Sequence, residues 1–93
     1  MNKFAVQLSK EAQLDIIDVL DYYKKIKTSL AEKLWTEITK TINKISTNPL
    51  KFQIRYRTIR IAFTKTFPYG IHFIFEENTV FILSFLHTKR YFR

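Results

Sequence analysis

Cleaving a phosphodiester without a metal requires cations to stabilise the charge that develops at phosphorus and two groups to move protons. Arg or Lys together with His, Tyr or Glu supply that chemistry. The second half of this chain carries such a set: Arg55, Arg57, Arg60 and Lys65 ahead of an apolar hairpin, and His87, Lys89, Arg90 and Tyr91 after it. As a nuclease, the chain would use His87, Arg60, Arg90 and Tyr91 for catalysis. As a binder, it would use Arg57, Arg60, Lys65, Lys89 and Arg90, which converge near one end of the sheet if the strands pair as drawn below. A lone histidine at the end of an apolar strand serves either as acid or base or as a satisfied structural residue, and both readings stand. Arg90 suits binding more than catalysis.

Other chemistries fit poorly. The second histidine, His72, falls opposite Leu83 in the expected hairpin, several residues from His87, while Glu76 and Glu77 lie at the far end. Two separated imidazoles without clustered acids make a poor metal site, so no metal or cofactor is expected. Ser84 stands in an apolar run with no base placed beside it by sequence, which weakens a nucleophile reading. One glycine in the whole chain rules out a Gly-rich phosphate loop.

The charge distribution sharpens the picture. Of 93 residues, 16 are basic and 8 acidic, giving +8. Residues 1–47 carry eight Lys and six acids, whereas residues 48–93 carry three Lys, five Arg and two acids, a net of +6. Every arginine is in the second half, where bidentate recognition of phosphate or carboxylate would face a polyanion or an acidic protein. The alternative is a solvated basic surface. Eight of nine phenylalanines and three of five tyrosines also follow residue 48. These rings either fill a thin core, the weightier reading, or stack bases. The absence of cysteine fits a reducing cytosol. The start of the chain lacks the apolar stretch of a secretory signal, and the longest apolar run, Val80 to Leu86, is interrupted by Ser84 and far too short to span a bilayer. A soluble, cytoplasmic protein without membrane association is expected.

The elements that must position these residues follow from periodicity. Phe4, Val6 and Leu8 alternate as in a half-buried strand. Ser9 is a candidate N-cap for an amphipathic helix over Lys10 to about Lys25, with Ala12, Ile16, Val19, Leu20, Tyr23 and Ile26 inward and Glu11, Asp15, Asp18 and Asp21 outward. Thr28-Ser29 breaks it, and Ser29 with Glu32 forms a capping box for a second helix. That helix carries the stripe Leu30, Leu34, Ile38, Ile42, Ile45 and stops at Asn48-Pro49. Ile59, Ile61 and Phe63 alternate in a strand. Tyr69–Glu76 and Thr79–His87 flank a two-residue turn at Glu77-Asn78, a register that sets Gly70 opposite Phe85 and Pro68 opposite His87. Gly70 would let the Phe85 ring lie on the backbone or form a bulge. Val80 to Leu86 is apolar on both faces, as in a central strand. One α+β domain over 1–93 is expected: an N-terminal strand, a helical hairpin, then a three-stranded antiparallel meander packed on the helices.

Tyr56, Arg57, Ile59, Arg60 and Ile61, then Phe67-Pro68-Tyr69-Gly70-Ile71, then an apolar strand ending in His87-Thr88-Lys89-Arg90, together resemble the ParE branch of the RelE/ParE superfamily. These are toxins of bacterial type II toxin–antitoxin and plasmid-stabilisation systems. The resemblance spans almost the whole chain. It implies a growth inhibitor neutralised by a cognate acidic antitoxin, as a homodimer or a heterotetramer with that antitoxin. The superfamily divides into ParE-like inhibitors of DNA gyrase, which are not nucleases, and RelE-like, metal-independent endoribonucleases that cut messenger RNA on the ribosome. Arg57, Arg60, Lys65, Arg90 and Tyr91 match nuclease spacing only loosely, and His87 stands alone where His-rich nucleases have several. The ParE-like branch is therefore the first reading. The RelE-like nuclease and a non-toxic interaction module of the same fold are the alternatives.

Overall fold

A computed structural model of the chain describes residues 3–89. Strand β1 (Ala5–Leu8) leads into α1 (Lys10–Ile26) and α2 (Thr28–Thr47), followed by a short 3-10 helix (Pro49–Lys51) and strands β2 (Ile54–Tyr56), β3 (Ile59–Phe63), β4 (Tyr69–Glu76) and β5 (Thr79–His87). The strands form one five-stranded sheet in the order β1-β5-β4-β3-β2. β1 joins β5 in parallel, and the remaining pairs are antiparallel. The α+β architecture expected from sequence is present, with β5 inside the sheet as its two apolar faces require. The meander gains a strand, because β2 pairs with β3 through an irregular register at Ile54 and Tyr56. No helix of the described residues is long and apolar enough to cross a membrane.

Ser9 caps α1 as expected: its hydroxyl oxygen accepts the Ala12 N–H at 3.0 Å. The same hydroxyl donates to the Leu83 carbonyl at 2.9 Å, and the Ser9 N–H reaches the Ile82 carbonyl at 2.9 Å, so one residue ends β1, starts α1 and binds β5. The break between helices differs from expectation. It is the single extended residue Lys27, whose N–H closes α1 on the Tyr23 carbonyl and which starts α2 with no side-chain cap. Thr28 and Ser29 are already helical, so Ser29 and Glu32 form no capping box. α2 ends before Pro49 as expected.

The core lies between the helices and one face of the sheet. Ala12, Ile16, Leu34, Ile38 and Ile45 pack against Ala62, Tyr69, Ile71, Phe73, Val80, Ile82 and Phe85. Aromatic rings fill much of this layer: Phe4 meets Phe75, Phe52 meets Phe73, Tyr23 meets Phe67, and Tyr69 stacks on Phe85 at 5.0 Å. Core filling is thus the main use of the second half's rings.

Glu77 and Asn78 both take positive φ, 52° and 59°, the left-handed pair that a two-residue hairpin matched to strand twist requires. From that turn the register runs as expected to Phe73 opposite Ile82, then slips: His72 faces Ser84, leaving Leu83 as an extra residue. The bulge re-phases the end of β5, so Gly70 faces Leu86 rather than Phe85, and Tyr69 rather than Pro68 faces His87. It also puts Phe85 and His87 on the helix side, with Ile71 and Tyr69 as their partners.

Gly70 is structural for another reason. A Cβ there would stand 2.8 Å from Ile61 Cγ2 and 3.4 Å from the Phe63 ring, on the sheet face away from the helices. The branched methyl of Ile61 has little freedom to withdraw. Gly70→Ala should therefore destabilise the fold by about 1–3 kcal/mol through overpacking. Urea denaturation checks this; an unchanged midpoint would show that β3 yields without cost.

Candidate functional site

The described members of the basic set selected from sequence do not converge. Arg57 occupies the β2–β3 turn with φ 52°. Because Arg60 faces Phe73 and Glu76 faces Thr79, that turn lies toward the Glu77-Asn78 end of the sheet. Lys65 follows β3 beyond the Phe63–Gly70 pair, and Lys89 follows β5 beyond the Tyr69–His87 pair, both at the opposite end. Arg90 and Tyr91 lie outside the described residues. The expected single cluster is thus divided between the two ends of the sheet, because β3 separates Arg57 from Lys65 along its length.

Arg60 lies between them and on the other face. It alternates with Ile59 and Ile61, shares the helix side with Ala62, and its Nη1 donates to the Phe52 carbonyl at 2.6 Å. This bond ties the segment after the 3-10 helix to β3. Arg60 is half-buried and structurally engaged, not the freely exposed cation that its sequence context suggests.

His87 is also occupied. Its ring meets Tyr69 edge to face at 5.4 Å, and its Nδ1 accepts the Lys89 N–H at 3.2 Å. Tyr69 in turn packs on Phe85 and Tyr23. Burial first, and then a hydrogen bond with Tyr23, push the Tyr69 phenol well above its ordinary range, so it carries its proton at neutral pH. His87 thus terminates an aromatic stack on the helix side.

The helix-free face carries the other histidine. By strand alternation, Ile59, Ile61 and Phe63 share this face with Gly70, His72 and Ile74. His72 is almost fully buried, and its Nδ1 lies 2.7 Å from the Tyr56 hydroxyl. Burial drives the imidazole below its usual value, against the opposing pull of Asp15. Burial likewise raises Tyr56, with Arg57 opposing. Both groups are held neutral, and their contact fastens edge strand β2 onto β4. At the rim of this face the Arg55 guanidinium lies 5.4 Å from the Phe63 ring centroid, a cation–π geometry. Among the described residues no group of three His, Cys, Asp or Glu is arranged to hold a metal ion.

The helical hairpin presents a different surface. Leu8, Gln13, Ile16, Ile17, Leu20 and Trp35 line an apolar hollow of about 380 Å³. A second hollow of about 350 Å³ adjoins it through Leu20 and Trp35 and is rimmed by Asp21, Lys24 and Glu32. Trp35, the only tryptophan of the chain, is 50% exposed in this groove. Sequence reasoning passed over it, although its position beside the Leu34–Ile38 stripe marks an apolar side chain that the core does not use.

The whole path of the chain matches a known pattern. A model of the ParE toxin of type II toxin–antitoxin systems, parDE, matches residues 6–92. The chain belongs to the ParE toxin family. Its fold is similar to that of the chromosomal ParDE toxin–antitoxin system from P. aeruginosa, with a TM-score of 0.81 at 13% identity, covering 91% of this chain and 96% of that one. It is also similar to the toxin–antitoxin complex RelBE2 from Mycobacterium tuberculosis, with a TM-score of 0.61 at 16% identity, covering 92% and 99% respectively. No curated protein sequence matches the chain. At these identities the structural likeness speaks for the fold, and membership of the ParE family rests on the sequence model.

The Arg60 anchor has a measurable consequence for this ParE-family chain. Arg60→Ala leaves the Phe52 carbonyl without its charged donor and should cost about 1–2 kcal/mol, toward the lower part of the range for a hydrogen bond to a charged group. In a domain this small that lowers Tm by about 4–8 °C per kcal/mol. Calorimetry of Arg60→Ala beside Arg57→Ala separates the two positions, since exposed Arg57 should shift Tm little. Equal, small shifts would show that the Phe52 contact contributes nothing.

Proposed function

We propose that this ParE-family toxin inhibits bacterial DNA gyrase in the cytoplasm, is neutralised by a cognate antitoxin and does not cut RNA. The observation that supports the choice of target is that the described members of the candidate set lie apart and are engaged elsewhere. A metal-free nuclease needs an acid–base pair beside clustered cations. Here Arg57 and Lys65 lie at opposite ends of the sheet, Arg60 is bound to a backbone carbonyl, and His87 is engaged with Tyr69 and the Lys89 N–H. These features favour a binding inhibitor, for which an intact surface is enough.

The groove between α1 and α2 fits the antitoxin. Its apolar floor and exposed Trp35 suit an amphipathic segment, with anchors recurring at helical spacing. An acidic portion of the same antitoxin would meet the arginine-bearing half of the chain. This division assigns the two surfaces to one partner, as the toxin–antitoxin complex RelBE2 of Mycobacterium tuberculosis pairs a toxin with an antitoxin.

Two measurements test these assignments. Induced expression should cause filamentation and inhibit gyrase supercoiling by the purified protein, while transcripts on ribosomes stay intact. Ribosome-associated cleavage that disappears in His87→Gln would instead identify a RelE-like nuclease. For the groove, addition of the product of the neighbouring antitoxin gene should shift Trp35 emission to the blue as the ring leaves water. Trp35→Glu should lose co-elution while its unfolding free energy stays within about 0.5 kcal/mol of wild type, the range of exposed substitutions. An unmoved emission spectrum in a stable complex would place the antitoxin elsewhere.

A further inference from the structure

The outer side of α2 and the loop after β3 build a basic feature that neither the sheet nor the groove uses. Lys40 and Lys44 stand one turn apart, about 6 Å along the helix axis. With Lys65 from the loop, and with Glu37 and Thr41, they line a cavity of about 150 Å³. The loop is held in place. Thr64 donates its hydroxyl to the Phe67 and Tyr69 carbonyls, and Glu37 Oε1 accepts the Thr66 N–H at 2.9 Å. Lys65 is therefore presented from a fixed segment.

Charge decides what this cavity can take. Three lysines line it, against the single carboxylate of Glu37, which is already turned to Thr66. Burial pushes Glu37 up, but hydrogen bonds from Thr66 and Phe67 and the positive charge of Lys33 together outweigh that, and the net shift is downward. The carboxylate is thus ionised at neutral pH, and the cavity keeps a surplus of positive charge. Lysine ammonium groups act on phosphate as compact point charges with several donors each. Lysines lining one cavity from a helix and a loop suit a tetrahedral oxyanion, approached from more than one direction, better than a planar carboxylate. Lys33 lies seven residues before Lys40, about 10 Å along α2 and nearly on the same side. It extends the positive charge in one direction, as a strand of successive phosphates would require.

We propose that the Lys40–Lys44–Lys65 cavity is a phosphate site through which the chain holds a nucleic-acid backbone. The site is independent of the gyrase reading, because it requires only a phosphodiester strand and none of the groove or sheet contacts.

Fluorescence anisotropy of a labelled short oligothymidylate at several salt concentrations tests it, with inorganic phosphate followed separately by amide NMR shifts. Each phosphate held contributes about −0.7 to the slope of log affinity against log salt for single strands. Lys40→Gln with Lys44→Gln should therefore flatten the slope by about 0.7, the share of the one phosphate held there. Glu37→Gln keeps an acceptor for Thr66 while removing the negative charge, and should bind more tightly. Inorganic phosphate should move the amides of Thr41 and Lys65 in the wild type and not in the double variant. An unchanged slope in a folded double variant would overturn the proposal. So would a polyglutamate peptide that binds as tightly as the oligonucleotide and loses as much in the same variant. Amide shifts with phosphate but no oligonucleotide binding would reduce the cavity to an ion site and also overturn it.

Discussion

The structure depends on how β5 satisfies its backbone after β1 ends. β1 accompanies β5 only as far as Leu8 opposite Ile82, and the bulge at Leu83 follows at once. An interior strand whose neighbour stops leaves donors and acceptors that burial makes costly. α1 supplies the missing partners. The Ser9 hydroxyl donates to the Leu83 carbonyl, and the Asp15 carboxylate accepts the Phe85 N–H at 3.0 Å. A helix cap and an acidic side chain thus continue the ladder that β1 begins, and they tie α1 to β5.

That arrangement partitions the rings and the cations. On the helix side the re-phased end of β5 brings Phe85 and His87 together with Tyr69, Tyr23 and Phe67, so the histidine closes an aromatic stack. On the opposite face Ile61, Gly70 and His72 are packed tightly enough that a single methyl group would be resisted, and Tyr56 covers the imidazole. The guanidinium groups then fall where the backbone leaves them: Arg57 at a turn, Arg55 over Phe63, and Arg60 drawn inward to a carbonyl. Among the described residues the cations selected from sequence and His87 are therefore held apart, each engaged by its own surroundings.

A small domain that spends its apolar surface on one thin layer leaves some outside it. The groove at Trp35 is that remainder, and its depth comes from the short Lys27 break, which brings two helices side by side without filling the space between their outer flanks. Exposed apolar surface rimmed by charge is characteristic of a surface that meets a partner. The lysines of α2 point elsewhere, so the helical hairpin offers one apolar and one cationic surface on distinct sides.

The order and type of the elements were legible in the sequence, because each rests on short-range physics. Alternation in β1 and β3, the Ser9 cap, the stop at Pro49 and the left-handed Glu77-Asn78 turn all act within a few residues. The succession from Tyr56 to Arg90 was enough to indicate the family. What tertiary structure alone decided was register and direction. Asp15 and Phe85 are 70 residues apart, and no local pattern reveals that their contact accompanies a bulge. That bulge moved Gly70 from Phe85 to Leu86 and turned His87 toward Tyr69. Arg60 looked exposed because alternation assigns apolar side chains to the core, yet here Ile59 and Ile61 lie on the helix-free face and Arg60 reaches the Phe52 carbonyl from the other. β2 escaped notice because three residues carry no period, and Ser29 because a cap depends on where the preceding helix stops. Local sequence sets what each segment can become, while the partners that satisfy buried backbone groups, often far away in the chain, set which residues finally meet.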